Sequence, residues 1–308
     1  MVGDVSELTR LRVLAAVARE GSVTAAAESL HYAQPSVSHH LARLEAEVGI
    51  TLLQRVGRGV RLTEAGRLLA ERAEEILGQV DSARAELAAH AGLRTGRVRL
   101  AAFPSALATL VPVAAARFGA VHPDVELALT EAEPPEALDA LRNGAVDVAI
   151  VFEHNDDGIT DARAHDRRNV ELTPLLDEPL YVVTPVGGSW PAPRDHLATY
   201  AGERWIAGCE RCRTHLVRAC RAVGFEPETT FETDDYVAVQ ALVAGGLGVS
   251  TLPGLALLAN RHPGVRIDRL PRDLRRVAVA THGRPPALPV QRFLEVLGES
   301  VTEPAWPG

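Results

Sequence analysis

The chain has 308 residues, of which 46% are hydrophobic, 23% charged and 4% aromatic. This length suffices for two or three domains, and the composition is that of an ordinary globular protein with a sizeable core. The formal net charge of −8 excludes a protein that coats nucleic acid with a uniformly basic surface. Any DNA contact therefore has to be confined to one part of the chain.

The sequence carries no sign of export. Charged residues interrupt residues 1–20, unlike the apolar centre of a signal peptide, and we find no run of about 18 apolar residues that could span a bilayer. Three cysteines, Cys209, Cys212 and Cys220, are too few for a disulfide framework. We therefore expect a cytoplasmic protein without a membrane partner.

Residues 1–63 have the pattern of a winged helix-turn-helix domain. Apolar residues at helical spacing predict a first helix that ends at Gly21, and Ser22 or Thr24 can cap a short second helix. Pro35 opens a third helix, and the stretch TLLQRVGRGVRL after it predicts a hairpin of two short strands. In such a domain the third helix enters the major groove of DNA with its N-terminal residues facing the bases.

The start of this third helix and the hairpin carry side chains suited to DNA. Gln34 can make two hydrogen bonds to an adenine edge, and Ser36 and Ser38 can bond to phosphates or bases. Arg55 and Arg58 lie at the base and turn of the hairpin, where they can meet phosphates. A helical bundle with a solvated polar helix end is the alternative. The agreement of polar pattern, hairpin and arginine positions favours DNA binding.

Residues 64–92 predict a long linker helix, which Thr63 caps and Gly92 ends. Its apolar positions form a stripe along the whole helix, and this stripe is longer than the core of a single small domain needs. We therefore expect this helix to pack against a second chain.

Residues 93–308 alternate between strand and helix patterns, which predicts a two-lobed α/β region. The first lobe, at about 96–165 and 271–303, begins with a β-α-β-α-β order that implies a parallel sheet. The second lobe, at about 166–270, contains four more short strands.

The chain has to pass between these lobes twice. The polar segment His154–Asn169 is the expected first crossing, and Arg266–Pro271 is the expected return. Two lobes joined by two crossings resemble the periplasmic-binding-protein fold.

The stretch GSVTAAAESLHYAQPSVSHHLARLEAEVGITLLQRVGRGVRLTEAG resembles the signature of LysR-type transcriptional regulators, and the resemblance covers the whole chain. It implies an α+β multidomain fold with a winged helix-turn-helix, a linker helix and a periplasmic-binding-protein-like effector domain. It also implies a sequence-specific DNA-binding regulator and not an enzyme. The implied partners are promoter DNA, a small-molecule effector and further copies in a homodimer or homotetramer, with RNA polymerase as a further candidate; no other cofactor is implied.

The resemblance places DNA contacts on the recognition helix and the wing, namely at Gln34, Pro35, Ser36, Ser38, His39, Arg55 and Arg58. The local excess of positive charge adds Arg43 to these candidates. This chain departs from the family in two places, with Ala33 where Ser is usual and His39 where Arg is common. A neutral histidine lacks the donor fork of arginine. We therefore expect target preference, or affinity near neutral pH, to differ from that of typical relatives.

The family uses the interlobe cleft for its inducer. Ligands of such sheets bind at the C-terminal ends of strands, beside helix N-termini that favour anions. This rule gives the candidates Pro104, Ser105, Ala106, Glu131, Phe152, Gly208, Cys209, Arg211, Thr233, Asp234 and Gly246. Ser105 is the strongest of them, because it can cap its helix and still bond a ligand carboxylate, although capping alone is the alternative.

The stretch GCERCRTHLVRAC suggests a second mode of control. A thiol beside arginines and a helix N-terminus can have a lowered pKa and react with oxidants. Cys209, Cys212 and His215 could instead bind a soft metal, although three ligands and one C-x-x-C are a weak signal. Small residues that fill a helix start remain the simplest interpretation.

Two other classes compete for an α/β chain. An enzyme is disfavoured because we find no glycine-rich phosphate loop, no G-x-S-x-G and no H-E-x-x-H. A solute-binding protein would need an export signal and would not carry a winged helix-turn-helix.

Overall fold

A computed structural model of the chain describes residues 5–56, 59–90, 96–155, 170–191, 196–282, 286–301 and 304–307. The helices in this part are α1 (Val5–Glu20), α2 (Val23–Ser29), α3 (Gln34–Val48), α4 (Glu64–His90), α5 (Pro104–Val121), α6 (Pro134–Arg142), α7 (Glu210–Ala222), α8 (Tyr236–Ala244), α9 (Gly254–Ala259) and α10 (Leu288–Ser300). A short 3₁₀ helix spans Leu197–Tyr200.

The strands in the described part form two sheets. They are β1 (Leu53–Val56), β2 (Gly59–Leu62), β3 (Arg97–Ala102), β4 (Glu126–Glu131), β5 (Val148–His154), β6 (Val170–Pro185), β7 (Arg204–Ala207), β8 (Glu228–Glu232), β9 (Val249–Pro253) and β10 (Val265–His282). β1 and β2 make a small hairpin, and the other eight form one sheet in the order β4-β3-β5-β10-β6-β9-β7-β8.

Helices α1 to α3 and the hairpin β1–β2 form the expected winged helix-turn-helix. The Ser22 hydroxyl caps α2 by accepting a backbone N–H at 3.0 Å, and Pro35 lies in the first turn of α3. Val37, Leu41 and Leu44 are the buried face of α3 and join one apolar core with α1 and α4. Local capping and apolar spacing therefore specify this domain, as the sequence predicts.

The linker helix α4 is present over nearly the whole predicted range. Thr63 caps it, since its Oγ1 accepts the Gly66 N–H at 3.0 Å. On the outer surface of α4, the exposed fractions of three apolar side chains are 57% for Leu68, 41% for Ile76 and 70% for Leu87. An apolar surface of this kind is typical of a helix that packs against another chain.

The large sheet is mixed in its strand directions. β3 pairs in parallel with β4 and β5, and β7 pairs in parallel with β8 and β9. Between these groups, β10 is antiparallel to β5 and to β6, and β6 is antiparallel to β9. The parallel β-α-β units are those that the sequence predicts, while the two long central strands are additional to them.

These two long strands carry the chain between the lobes. β6 and β10 pair along their lengths, from Val170 opposite His282 to Pro185 opposite Val265. The expected first crossing within 154–169 is therefore wrong, because β6 begins in the first lobe and crosses as a continuous strand. The return occurs in β10, where the pairing register shifts between Arg269 and Leu274.

Helix α5 is more apolar than we expect from the sequence. By length and composition it could cross a membrane, so the expectation that no segment is apolar enough for a span was wrong. The composition has a structural reason, because α5 packs in the first-lobe core between the sheet and α10. The rings of Phe118 on α5 and Phe293 on α10, for example, meet edge to face at 5.4 Å.

Helix α4 contacts the first lobe through two glycines. A Cβ atom added to Gly78 would lie 2.9 Å from the Asn143 carbonyl carbon and from the Gly144 nitrogen. A Cβ atom on Gly144, which has a positive φ of 71°, would lie 2.6 Å from the Gly78 Cα. Only glycine at these two positions permits the backbone of α4 to approach the turn after α6 this closely.

We predict that Gly78→Ala loosens the contact between α4 and the first lobe. Alanine in an exposed helix normally gains roughly 0.5–1 kcal/mol over glycine, but here the added methyl group collides with backbone atoms. The free energy of unfolding in urea should fall. Gly119→Ala in α5 is the matched control, because a Cβ atom there meets nothing within 4 Å. Equal gains from both substitutions would contradict the prediction.

Candidate DNA-binding surface and interlobe site

The predicted recognition residues lie on the exposed face at the start of α3. The exposed members are Gln34, Pro35, Ser36, Ser38, His39 and Arg43. Ala33, at the N-cap position, makes no side-chain capping bond. This face therefore presents amide, hydroxyl, imidazole and guanidinium groups next to one another, which is the donor and acceptor chemistry that base edges and phosphates require.

The wing is fastened to the recognition helix by one carboxylate. Oε1 of Glu45 accepts the backbone N–H groups of Leu52 at 2.7 Å and Leu53 at 3.0 Å. The Arg55 backbone lies in β1 opposite Val60. The Arg55 side chain and all of Arg58 lie outside the described part of the structure, so their predicted contacts with phosphate stay predictions.

A fully buried ion pair lies between the lobes of the effector region. Nε and Nη2 of Arg275 donate to Oε2 of Glu178 at 2.9 and 2.7 Å, and both side chains have 0% exposure. Oε1 of Glu178 accepts the Leu255 N–H at the start of α9 at 2.6 Å. Burial raises the pKa of the Glu178 carboxyl group, and the positive charge of Arg275 opposes that rise. Burial would lower the pKa of Arg275, but Glu178 keeps it above its ordinary value.

The remaining surroundings of Arg275 leave one of its nitrogens unused. The guanidinium carbon lies 4.1 Å from the centre of the Phe152 ring and 5.1 Å from that of Phe103, and Nη2 also donates to the Ser105 hydroxyl at 3.2 Å. Among the described residues, Nη1 has no hydrogen-bond acceptor. A buried cationic donor of this kind favours a ligand with an acceptor oxygen.

Ser105 occupies the site without acting as a helix cap. The N-cap residue of α5 is Phe103, and Ser105 lies two residues inside the helix with 0% exposure. The expectation that Ser105 caps α5 was therefore wrong. Its hydroxyl group instead bonds to Arg275 and to Tyr236 at the start of α8.

The structure brings only some of the predicted effector residues together. Phe152, Cys209 and Arg211 join Ser105 around Arg275, and Nη2 of Arg211 donates to the Phe152 carbonyl at 3.3 Å. The remaining candidates at the same strand ends are Pro104, Ala106, Gly208 and Thr233, which are partly or fully buried, and Glu131 and Asp234, which are exposed.

Gly246 lies at the opposite end of the strands from the site, so the expectation that it contacts the effector was wrong. It precedes β9, so it lies at the N-terminal end of that strand and not at the C-terminal end where ligands bind. The neighbouring Gly248 accordingly lies against the backbone of Arg204, which begins the parallel strand β7.

Two thiols and a carboxyl group meet beside this ion pair. Cys209 is the N-cap residue of α7, and its Sγ lies 3.2 Å from Sγ of Cys212. The hydrogen bond from Cys209 lowers the pKa of Cys212 and raises that of Cys209, and the positive charge of Arg275 contributes to the lowering. Burial raises the pKa of Glu133, against the opposing effects of Arg275 and of a hydrogen bond with Cys209.

His215 does not join the cysteines in a ligand set. Its ring stacks on that of His154 at 3.9 Å and 3°, and its Nε2 lies 2.7 Å from Asp273. His154, His215 and Asp273 place ligand atoms within 4.8 Å of one another. However, a metal ion binds in the plane of an imidazole ring, so two parallel rings cannot both ligate one ion. Burial and neighbouring positive charges also lower the pKa of His154, and the same charges would repel a cation.

The charged centre of the site is not evident from the sequence. Arg275 and Glu178 are internal to long strands, where no motif marks them, and Tyr236 follows an ordinary capping aspartate. Glu133 lies in the turn after β4, where the rule about strand ends could have found it. No pattern in the sequence distinguishes Arg275 from the other arginines of β10, which are Arg266, Arg269, Arg272 and Arg276.

Comparison with known proteins agrees with this architecture. Residues 8–67 match the bacterial regulatory helix-turn-helix protein, lysR family, and residues 91–302 match the LysR substrate binding domain. The uncharacterized HTH-type transcriptional regulator YcgK of Bacillus subtilis (strain 168) is 30% identical, over 94% of this chain and 93% of its own. The DNA-binding transcriptional dual regulator OxyR of Escherichia coli (strain K12) is 28% identical, over 82% of this chain and 80% of its own.

A solved structure extends the likeness to the whole fold. A full-length OxyR variant from Pseudomonas aeruginosa has a TM-score of 0.63 and 28% identity, and the match covers 96% of this chain and 97% of that one. The fold and the matched domains define a DNA-binding transcriptional regulator with an effector-binding domain. The chain belongs to the LysR family of these regulators.

We predict that Glu178→Gln costs about 3–5 kcal/mol of unfolding free energy, because it leaves Arg275 buried without its counter-charge. Asp177→Asn is the control, since Asp177 is the exposed neighbour in the same strand and its loss should cost no more than about 0.5 kcal/mol. Urea denaturation measures both values. A loss for Glu178→Gln as small as that for the control would show that the ion pair does not hold the strands together.

Proposed function

We propose that this LysR-type regulator binds promoter DNA as a symmetric homodimer and that a small carboxylate bound between its lobes controls it. In this proposal residues 1–63 bind DNA, 64–92 link and dimerise, and 93–308 bind the effector, all within the cytoplasm. The role is regulatory and not catalytic. The unused, buried Nη1 atom of Arg275 is the observation that carries the proposal for the effector.

The DNA contacts follow from the exposed face of α3. Gln34 and the hydroxyl groups of Ser36 and Ser38 are proposed to read base edges and phosphates in the major groove. His39 and Arg43 lie further along this face. Arg43 is partly neutralised, because its Nε lies 3.3 Å from Glu47, so we propose that it positions the helix and that Gln34 supplies specificity.

The dimer is proposed to form through α4. Leu68, Ile76 and Leu87 leave an apolar surface on this helix that a second copy would bury. A two-fold dimer presents two recognition helices, so the operator should be an imperfect palindrome. Two such dimers would form the tetramer that the family resemblance implies.

The proposed effector is limited in size by the packing around Arg275. The guanidinium group has 0% exposure and lies over two phenylalanine rings, so the ligand has to be small and has to enter when the lobes separate. A carboxylate would bond to Nη1 of Arg275 and approach the N-terminal end of α5. Such a ligand would favour one of two lobe arrangements and thereby alter the angle between the DNA-binding domains.

We predict that His39→Arg strengthens binding to DNA upstream of the chain's own gene. One added phosphate contact should steepen the slope of log affinity against log salt by about 1. Ala201→Arg adds the same charge at an exposed site in the second lobe and should leave the slope unchanged. Fluorescence anisotropy over a salt series measures both. If both variants steepen the slope equally, His39 does not face the DNA.

We predict that a panel of short mono- and dicarboxylates contains a compound that raises the melting temperature of the full chain. Ser105→Ala removes the hydroxyl group that bonds to Arg275 and should weaken that binding by roughly tenfold, as expected for the loss of one hydrogen bond. Ser300→Ala, at the end of α10, removes a comparable hydroxyl group far from the site and should bind normally. A stabilising carboxylate that binds both variants equally would place the effector elsewhere.

A further inference from the structure

The interlobe site contains a second buried polar atom that no described residue satisfies. Oε2 of Glu133 is buried and has no hydrogen-bond partner among the described residues, just as Nη1 of Arg275 has none. The first atom is an acceptor on an acid, and the second is a donor on a fully buried cation. A buried polar atom without a partner is rare, because it loses its hydrogen bonds to water and gains nothing in return. Two such atoms of opposite character in one site therefore indicate a ligand with two complementary groups.

Glu133 and Arg275 lie close enough for one small ligand to reach both. Burial raises the pKa of the Glu133 carboxyl group, whereas the positive charge of Arg275 and a hydrogen bond with Cys209 lower it. The charges of Glu133 and Arg275 also act, in opposite directions, on the pKa of the Cys212 thiol, which therefore lies near both of them. A ligand that spans from the carboxyl group to the guanidinium group can thus be short.

The two ends of the site differ in the sign of their charge. Nη1 of Arg275 presents a positively charged donor beside the rings of Phe103 and Phe152. At the other end, the negative charge of Asp234 in the second lobe acts on Glu133 in the first. A simple carboxylate bonded to Arg275 would bring a further negative charge towards these two acids, and a dicarboxylate would bring two. A cationic group on the ligand offsets this repulsion and supplies a donor for Oε2 of Glu133.

We propose that the effector is a small amino-carboxylate, which bonds to Nη1 of Arg275 through its carboxylate and to Oε2 of Glu133 through its ammonium group. This inference rests on the carboxylate site proposed above and adds a second recognition group to it. Both bonds are charge-assisted, so they are among the strongest hydrogen bonds that a protein makes. An acid alone or an amine alone would satisfy only one of the two buried atoms, and the ligand class follows from the pair.

The ammonium group also strengthens a contact between the lobes. Glu133 is the N-cap residue of α6 in the first lobe, whereas Cys209 is the N-cap residue of α7 in the second lobe. The two side chains hydrogen-bond to each other. A cation beside Glu133 favours its ionised form, which accepts a hydrogen bond from Cys209 more strongly than a neutral acid does. Binding of an amino-carboxylate therefore favours the arrangement in which the two lobes are in contact.

The first experiment compares matched small ligands on the full-length protein by isothermal titration calorimetry. Glycine, L-alanine, β-alanine and γ-aminobutyrate are tested against acetate, propionate and butyrate, which are the acids without the amino group. Methylamine, ethylamine and propylamine are the amines without the carboxylate. We expect at least one amino-carboxylate to bind about tenfold more tightly than its matched acid and its matched amine, as one added charge-assisted hydrogen bond predicts.

The results of this comparison separate the inference from the proposed function on which it rests. Acids that bind as tightly as the matched amino-carboxylates would overturn the role of Glu133 and leave the carboxylate site at Arg275 standing. Amines that bind as tightly as the amino-carboxylates would remove the carboxylate from recognition and overturn both proposals. If no compound of the three sets binds, both proposals are wrong.

The second experiment removes the charge of Glu133. Glu133→Gln should bind the amino-carboxylate about tenfold more weakly than the wild type does. It should bind the matched acid at least as tightly as the wild type, which also shows that the variant is folded. Glu136→Gln removes an exposed charge in the first turn of α6 and should leave both affinities within about twofold, because water screens that charge. Equal losses in the two variants, or a loss for the acid as large as that for the amino-carboxylate, would contradict the inference.

Discussion

The ion pair between Arg275 and Glu178 is the contact on which the effector region depends. The two residues are register partners in β10 and β6, the strands that run through both lobes, and both side chains are fully buried. Glu178 also accepts the N–H that begins α9 at Leu255, while Arg275 bonds to Ser105 near the start of α5. One pair therefore aligns the two crossing strands with two helix starts.

Stability alone does not account for such a pair. Removing two charges from water costs several kcal/mol per ion, and apolar residues of similar volume often fill the same space at least as well. Two apolar residues in place of Arg275 and Glu178 could not supply an electric field at the centre of the site. The charge of Arg275 opposes the rise in the pKa of Glu133 and lowers that of Cys212, while Nη1 stays open to a ligand. The same contact thus joins the lobes and sets the chemistry between them.

The sequence predicted the DNA-binding domain well and the interlobe site poorly, for one physical reason. Caps such as Ser22 and Thr63 and the apolar stripes of the helices act within a few residues, so a single sequence contains them in full. The site depends on strand register over long separations. Arg275 and Arg276 are adjacent in one strand, and only the pairing of β10 with β6 turns the first inward and the second outward. A sequence also does not show which end of a strand borders the cleft. For this reason Gly246 was wrongly expected to contact the effector, although it follows a helix and precedes β9.

The contacts of α6 suggest how the effector site communicates with the DNA-binding domain. Glu133 begins this helix of nine residues, and Gly144 lies in the turn directly after its last residue. Gly144 is in backbone contact with Gly78 of α4, whose N-terminal half shares a core with the recognition helix. A short, well-packed helix tends to move as a unit, so we expect a displacement at Glu133 to reach the glycine contact. Because Gly78 and Gly144 meet backbone to backbone, without flexible side chains that could absorb the displacement, we expect α4 to move with α6.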